Sequence, residues 1–381
     1  MTGEVLSLSA RSLSRSNKRE STLQDVSELN ENQTYKERAL LTQIIARFAG
    51  KKVLVVGDMV ADEYLVGTPA RISREAPVLV LEQQEHFTVP GGATNPGVNA
   101  RTLGAEVYLA GLVGQDAPGE RLLARLADYQ MHCEGLISEA RRPTSTKTRV
   151  LAGSSQLVKQ QIVRIDVIDG SRLGNGSEAQ IIAYIERVLP QMDAVILSDY
   201  ENGVISPAII ETCIEFSRRL GKIITVDSHG DLFRFQGVTA MTPNQPEAEA
   251  TLKTTITDLA SLEAAGWRLL EDTQARGVLI TRGSEGMSLF EAGQPPLHIP
   301  ASNLVEVADP TGAGDTVAAT FTLALAAGAE MAQAALLANI AAGLVVRQLG
   351  CATNTPEELI RGVEKVLVQY PQFQYPQNGS S

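Results

Sequence analysis

The sequence predicts an α/β protein: a mostly parallel β-sheet covered on both faces by helices, with a small antiparallel sheet beside it. Three observations predict this. Short β-branched runs alternate with helical patterns through most of the chain. The runs are apolar and end in Gly or Asp, as strands buried on both faces do. Two stretches, 78–89 and 144–168, carry strand pattern with no helix between their runs, so they belong to a separate sheet.

In chain order, residues 1–35 are rich in Ser, Arg, Asn and Glu and lack the apolar core of a secretory signal. Their first half has the Ser/Arg bias of a transit peptide, but acidic residues interrupt it, and a disordered tail is expected. Residues 36–49 have apolar positions at helical spacing, ending at Gly50. Strands are expected at 51–58, 107–114, 193–199, 221–228, 277–283 and 287–293, and helices at 95–103, 119–130, 177–189, 207–220 and 258–274. Beyond residue 312 two Ala-rich segments, 315–329 and 331–349, read as helices able to pack closely on a sheet. Residues 371–381 read as a frayed tail. The organisation expected is one domain over 36–370 between two tails.

Composition narrows the function. The 381 residues are 44% hydrophobic and 20% charged, which is globular and excludes disordered, collagenous and disulfide-rich classes. Net charge is −11, so no broad basic surface for nucleic acid is expected. The longest weakly polar stretch, 316–329, falls short of the ~20 apolar residues a membrane span needs. Cys133, Cys213 and Cys351 are far apart and form no metal or redox spacing, which points to a reducing, cytoplasmic setting.

The sharpest motif is VADPTGAGDTVAA, residues 307–319. Gly312, Ala313 and Gly314 open directly into a helix, whose unobstructed N–H groups and positive dipole end suit an anion. Asp315 in the first turn can then take a proton from a hydroxyl beside a bound phosphate. An ordinary cap after a glycine turn uses similar residues, but not the whole string. In GGATNPGVNARTLGA, residues 91–105, Gly91 and Gly92 permit close backbone approach to a ligand, and Asn95 offers a donor and an acceptor. Asn244 and Glu247 sit three apart at a helix start. They suit either a capping pair or the water shell of Mg²⁺ on phosphates, and alone they favour capping. Asp62 follows the first strand, where α/β sheets bind ligands, and reads as a hydroxyl-holding group or a loop carboxylate.

Taken together, Asp309-Pro310-Thr311-Gly312-Ala313-Gly314-Asp315 resembles the C-terminal signature of ribokinase-like (PfkB-type) carbohydrate kinases. Gly91-Gly92 with Asn95 resembles their N-terminal signature, and Asn244-x-x-Glu247 their phosphate and Mg²⁺ motif. The resemblance covers roughly residues 50–368. Within the family, RISREAPV (71–78), RRPTSTKTRVL (141–151), LSDYENG (197–203), MTPNQPEAEA (241–250) and TRGSEGMSLFEAGQPPLHIPA (281–301) look most like the heptose 7-phosphate kinases, here expected to stand alone without a second catalytic half.

The resemblance implies an ATP-dependent sugar kinase with Asp315 as base and the N–H groups of Gly312, Ala313 and Gly314 as an anion hole. It implies sugar contacts from Asp62, Gly91, Gly92 and Asn95, and nucleotide contacts from Asn244, Glu247, Ser228, Thr281, Gly283 and Asn339. Glu247 would meet Mg²⁺ through water, and Asp309 and Thr311 a monovalent cation such as K⁺. The small sheet, about 70–90 and 144–168, would be a lid over the sugar and a homodimer contact. A phosphorylated sugar needs local positive charge, for which Arg71, Arg74, Lys147 and Arg149 are candidates. Lys147 and Arg149 alternate on one strand and so share a face, whether for a phosphate or for solvent.

Four departures bear on the substrate. Arg74 replaces the first proline of Ser-Pro-Glu-Ala-Pro, Asn202 replaces a lysine, Ser228-His229 stand where relatives carry Pro-Lys, and Thr94-Asn95-Pro96-Gly97 replaces Ala-Asn-Val-Ala. Either the substrate differs, or Arg74 and His229 compensate for the lost lysines. Competing readings are a kinase for another sugar, sugar acid or nucleoside, and a non-catalytic ligand-binding regulator of the same fold. A nicotinamide-dependent dehydrogenase is disfavoured because the first strand-to-helix turn has no GxGxxG.

Overall fold

In the computed structural model the described residues are 35–153, 159–302, 309–348 and 351–369. The expected tails lie outside them, except for residue 35, which opens the first helix. Among the described residues thirteen strands are present: β1 (Lys52–Gly57), β2 (Met59–Ile72), β3 (Leu79–Gly92), β4 (Glu106–Gly114), β5 (His132–Glu139), β6 (Ser145–Ala152), β7 (Gln160–Val167), β8 (Ala194–Asp199), β9 (Ile223–Ser228), β10 (Ala240–Met241), β11 (Gly277–Thr281), β12 (Met287–Glu291) and β13 (Leu297–Ile299). Helix α1 spans 35–46. It is followed by α2 (Thr94–Thr102), α3 (Ala117–Asp128), α4 (Asn175–Val188), α5 (Pro207–Leu220), α6 (Gln245–Leu252), α7 (Leu259–Thr273), α8 (Ala313–Ala326), α9 (Met331–Val345) and α10 (Pro356–Gln369).

The main sheet runs β13-β12-β11-β10-β9-β8-β1-β4-β5, parallel from β11 to β5, with β12 and β13 added antiparallel at one edge. Its central strand shows why the sequence builds two cores. In β1, Val53 and Val55 join α1, α2, α8, α9 and α10 in one apolar cluster, while Leu54 and Val56 join α4, α5, α6 and α7 in another. Alternate side chains of a strand point to opposite faces, so a strand apolar at every position must be covered twice.

The chain leaves β1 toward β4 and β5 on one side, and later fills β8 to β11 on the other. That reversal opens a crevice at the carboxyl ends of β1 and β8, where ligands of open α/β sheets bind.

The second sheet, β3-β2-β6-β7, contains the segments expected as a lid. Its β2–β3 and β6–β7 pairs are antiparallel hairpins, whereas β2–β6 is parallel because β4, α3 and β5 intervene in the chain. Strand β2 was not expected over residues 59–72. Asp62 and Glu63 interrupt its apolar run, and Asp62 lies inside a strand rather than in a loop. Strand β5 was also not expected.

Candidate active site

Asp58, just past β1, is buried and fastens the loop after β8. Its Oδ2 accepts the backbone N–H of Tyr200 at 2.9 Å and of Asn202 at 3.0 Å, and its Oδ1 that of Val204 at 2.9 Å. The loop so held delivers the Tyr200 side chain to the N-terminus of α8.

That terminus is built by Gly312, whose φ of +80° is the left-handed conformation glycine favours. A Cβ there would also lie 2.8 Å from Asn95 Nδ2. Asp315 follows in the first turn, 7% exposed. Tyr200 Oη donates to its Oδ1 at 2.9 Å and Asn95 Nδ2 to its Oδ2 at 2.6 Å. Asn95 is oriented by a relay from the same helix: Thr316 Oγ1 donates to Asn99 Oδ1, and Asn99 Nδ2 to Asn95 Oδ1 and the Asn95 carbonyl. Burial pushes the Asp315 carboxyl up to about 6, against the lowering effect of its two donors and of nearby His229. A carboxylate with that affinity for protons suits general-base work near neutrality.

The N–H of Ala313 donates to Pro310 O at 3.2 Å and is turned back into its own loop. Among the described residues no acceptor takes the N–H groups of Gly312, Gly314 or Asp315, so within the expected trio only the Ala313 N–H is already engaged. Pro96, an unusual helix residue, falls in the first turn of α2, where its missing N–H has no partner to lose.

The lid supplies the opposite wall. In the β2–β6 register Asp62 pairs with Lys147 and Tyr64 with Arg149, which puts the two cations on one face. Arg149 Nη1 donates to Asp62 Oδ1 at 2.7 Å and its guanidinium lies 5.4 Å from the Tyr64 ring centre. Lys147 Nζ stands 5.0 Å from the Tyr200 ring centre and has no carboxylate partner among the described residues. Gly91 is required by closeness: a Cβ there would meet Asp62 Oδ2 at 2.4 Å. The Cys351 thiol lies 4.0 Å from Asp62 Oδ2, and burial pushes it up to about 12, so it is neutral.

Asn244 and Glu247 form a capping box on α6, Asn244 Oδ1 accepting from Glu247 N and Glu247 Oε2 from Asn244 N. The other carboxylate oxygen of Glu247 bonds His229 Nδ1, and that contact raises the affinity of the imidazole for protons. The His229 ring also meets the Tyr200 ring edge-on at 4.5 Å. Ser228 Oγ donates to Asp199 at 3.1 Å. Beside it, burial and the nearby Asp315 push the Asp227 carboxyl up.

A cavity of about 370 Å³ opens next to Ala313 and Gly314, lined by Thr281, Gly283, Met287, Val317, Asn339 and Val346 among others. Asn339 shapes its wall, accepting from Ser302 N at 2.9 Å and donating to Pro300 O at 3.3 Å. Asp309 Oδ1 accepts the Thr311 N–H at 2.9 Å at the cavity mouth.

Arg71 and Arg74 are not brought to this cleft. Both are exposed at the lid tip, and Arg71 is nine strand residues past Asp62, about 30 Å at the usual rise per residue. Tyr200 was missed as a site residue, although its position just past β8 at the point of reversal is the signal that could have found it.

A buried carboxylate on a glycine-opened helix, facing a nucleotide-sized cavity on one side and a polar lid on the other, defines a small-molecule kinase on a ribokinase-like body. Residues 50–358 match the pfkB family carbohydrate kinase, and the chain belongs to that family, whose activity is ATP-dependent phosphorylation of a sugar. Among curated relatives, the bifunctional protein HldE of Citrifermentans bemidjiense is 41% identical over 328 residues, covering 86% of this chain and 66% of the relative. That of Caulobacter vibrioides is 42% identical over 322 residues, covering 84% and 65%. The chain thus spans just under two thirds of the length of these relatives.

Solved structures share the fold. Arabidopsis thaliana ribokinase complexed with ribose and ATP superposes with a TM-score of 0.62 at 22% identity, covering 84% of this chain and 99% of that one. Escherichia coli phosphofructokinase-2 in complex with substrates and products gives 0.67 at 18%, with the same coverage. No helix among the described residues is long and apolar enough to cross a membrane.

Proposed function

We propose that the chain transfers the γ-phosphate of ATP to the anomeric hydroxyl of heptose 7-phosphate. The observation that carries the kinase chemistry is Asp315, buried, held by two donors and seated in the first turn of α8 beside N–H groups that no acceptor takes among the described residues. Its carboxylate takes the hydroxyl proton as the sugar oxygen attacks phosphorus. The N–H groups of Gly312, Gly314 and Asp315 bear on the charge that develops on the transferred phosphoryl group. Asp62, oriented by Arg149, holds sugar hydroxyls, with Gly91, Gly92 and Asn95 closing the same pocket. Lys147, without a carboxylate partner, takes the 7-phosphate. The adenine lies in the cavity lined by Thr281, Gly283 and Asn339, with the phosphates leading toward Ser228, Asn244 and Glu247.

The residues fit a Mg²⁺ ion held mainly by phosphates. No group of three or more His, Cys, Asp or Glu forms a protein cage among the described residues, and Glu247 has an oxygen turned away from its cap. Mg²⁺ would be met there through water and would neutralise phosphate charge. Asp309 and Thr311 would bear on a monovalent cation, which K⁺-for-choline exchange in the assay tests.

The substrate assignment is supported by the strings at 141–151 and 281–301 and by the relatives named HldE. His229 and Asn202, in place of two lysines, favour the second reading, a kinase for another sugar. Coupled ADP release over a panel of heptose 7-phosphate, fructose phosphates, ribose and adenosine separates them. Selective turnover of the heptose phosphate is expected, and turnover of a different sugar alone would sink the substrate while keeping the chemistry.

A homodimer through the lids is supported by β7, exposed along its whole length, with Ile162, Val163, Ile165 and Val167 outermost. Sedimentation of the wild type should give a dimer, and Ile165→Glu a monomer.

A further inference from the structure

Arg142 is buried, yet it forms no ion pair among the described residues and gives its guanidinium to backbone carbonyls alone. Nη1 donates to Ser171 O at 2.9 Å, and Nη2 donates to both Asp169 O and Asn202 O. The positions of these partners give the contact meaning. Arg142 lies where the chain crosses from β5 of the body to β6 of the lid. Asp169 and Ser171 lie where it returns from β7 to α4. Asn202 is in the loop that carries Tyr200 to Asp315.

One side chain therefore joins the entry to the lid, the exit from it and the loop that touches the proposed base. The three pieces are in close contact. A Cβ at Gly203 would lie 2.3 Å from Ser171 O, and Gly203 has a φ of +88°. The entry crossing is itself anchored to the body: Asp116 accepts the Thr144 N–H and hydroxyl at 2.8 and 2.6 Å, and the Thr144 hydroxyl takes the Gly114 N–H at 2.8 Å. A guanidinium is suited to such a knot, having five donors in a fixed plane and a charge that proton loss cannot remove.

We propose that Arg142 is a positioning residue for phosphoryl transfer, locking both lid crossings to the loop that aims Tyr200 at Asp315. The inference rests on Asp315 as the base. Loss of Arg142 frees the Asn202 carbonyl, lets the loop drift, and weakens the Tyr200 hydrogen bond to Asp315. The other charged and titratable groups around Asp315 stay in place: Asp62 on β2, Asp227 at the end of β9 with His229 just past it, and Cys351. Removing a donor from a carboxylate favours its protonated form, so the acid limb of kcat/KM for the sugar moves to higher pH.

The test uses Arg142→Met, Arg142→Lys, Tyr200→Phe and the Arg142→Met/Tyr200→Phe pair, assayed from about pH 5 to about 9. Arg142→Met should lower kcat by roughly a hundredfold, leave the KM for ATP unchanged, and shift the acid limb upward as Tyr200→Phe does. The pair should do no more than the stronger single variant, and Arg142→Lys, which keeps a donor, should recover part of the rate.

Hydrogen exchange on the unliganded chain adds a readout that needs no substrate. In Arg142→Met, residues 169–171 and 200–204 should lose protection together while β1 and β8 keep theirs. A wild-type acid limb in Arg142→Met, or additive losses in the pair, would overturn the inference. So would unchanged protection at 200–204, even if the wild type turned over none of the sugars offered and the kinase reading itself had failed.

Discussion

The two walls of the cleft are built on opposite principles. The body presents one carboxylate, Asp315, on a helix whose first turns are buried almost without interruption. The lid presents cations, Lys147 and Arg149, on a sheet whose last strand is exposed along its length. Burial tunes the first wall by withholding water, which raises the affinity of Asp315 for a proton. The second wall is less deeply buried, and its Arg149 is paired with Asp62. On the proposed reading, proton transfer falls to the buried wall and recognition of the sugar to the more exposed one.

The strongest way to break this contrast is Asp315→Asn. Loss of the base should lower kcat by about a thousandfold. The same change should make the protein more stable at pH 8. In the folded chain burial lifts this carboxyl to about 6, from an ordinary 3.8. The folded chain therefore binds the proton more tightly than the unfolded one, and stability falls as pH rises through that interval. Above pH 6 the ionised group costs roughly 2–3 kcal/mol, which the neutral amide avoids while its oxygen still accepts from one of the two donors, Tyr200 or Asn95. Melting at pH 8 and pH 4 checks this: the gain should appear at the higher pH and nearly vanish at the lower. A lower melting temperature at pH 8 would mean the carboxylate is not a strained group.

On the lid, Lys147→Met should raise the KM for a phosphorylated sugar by about ten- to a hundredfold, the worth of a charge-assisted hydrogen bond, with the KM for ATP unchanged. Arg149→Met should weaken phosphorylated and plain sugars alike, since it acts through Asp62. Equal effects of the two variants on both kinds of sugar would remove the division of labour between them.

The glycines sharpen the same comparison on a smaller scale. A Cβ at Gly314 meets nothing within 4 Å, whereas one at Gly312 is strained by its φ and strikes Asn95. Gly314→Ala should leave stability unchanged or raise it by about 0.5–1 kcal/mol, while kcat falls by about tenfold because the methyl group enters the anion's space. Gly312→Ala should lose both stability and rate. The smallest effect belongs to Cys351→Ser. A thiol pushed up to about 12 is neither nucleophile nor charge, so kcat should change by about twofold or less.

What the sequence revealed follows from how local each feature is. Gly312 and Asp315 lie in one turn, and the glycine-opened helix start can be read from contiguous residues. Strand β1 announces itself because Val53 to Val56 form an unbroken apolar run. Asn244 and Glu247 read as a cap because a capping box is a matter of spacing, and the box is present. Strand β2 was hidden because a lid strand with Asp62 and Glu63 in its first half lacks the apolar run of a core strand. Tyr200 and Arg142 were hidden for another reason. Their partners lie 115 and up to 60 residues away in sequence, and nothing in the local pattern of either residue announces the contact. Arg71 was overrated because residue type alone says nothing of how far a strand carries it from the cleft.

The grip of Asp58 on the 200–204 loop has a consequence for how such a site diversifies. All three of its hydrogen bonds end on main-chain N–H groups, of Tyr200, Asn202 and Val204. The grip itself therefore does not depend on which side chains these residues carry, provided none is proline. Val204 is also held by its packing in the core, but Asn202 can change while the three hydrogen bonds remain. Asn202, whose buried side-chain Nδ2 has no hydrogen-bond partner among the described residues, stands where the resembling kinases carry lysine. A scaffold that grips the backbone lets a lineage exchange the chemistry of its pocket one side chain at a time, without first having to survive a broken loop.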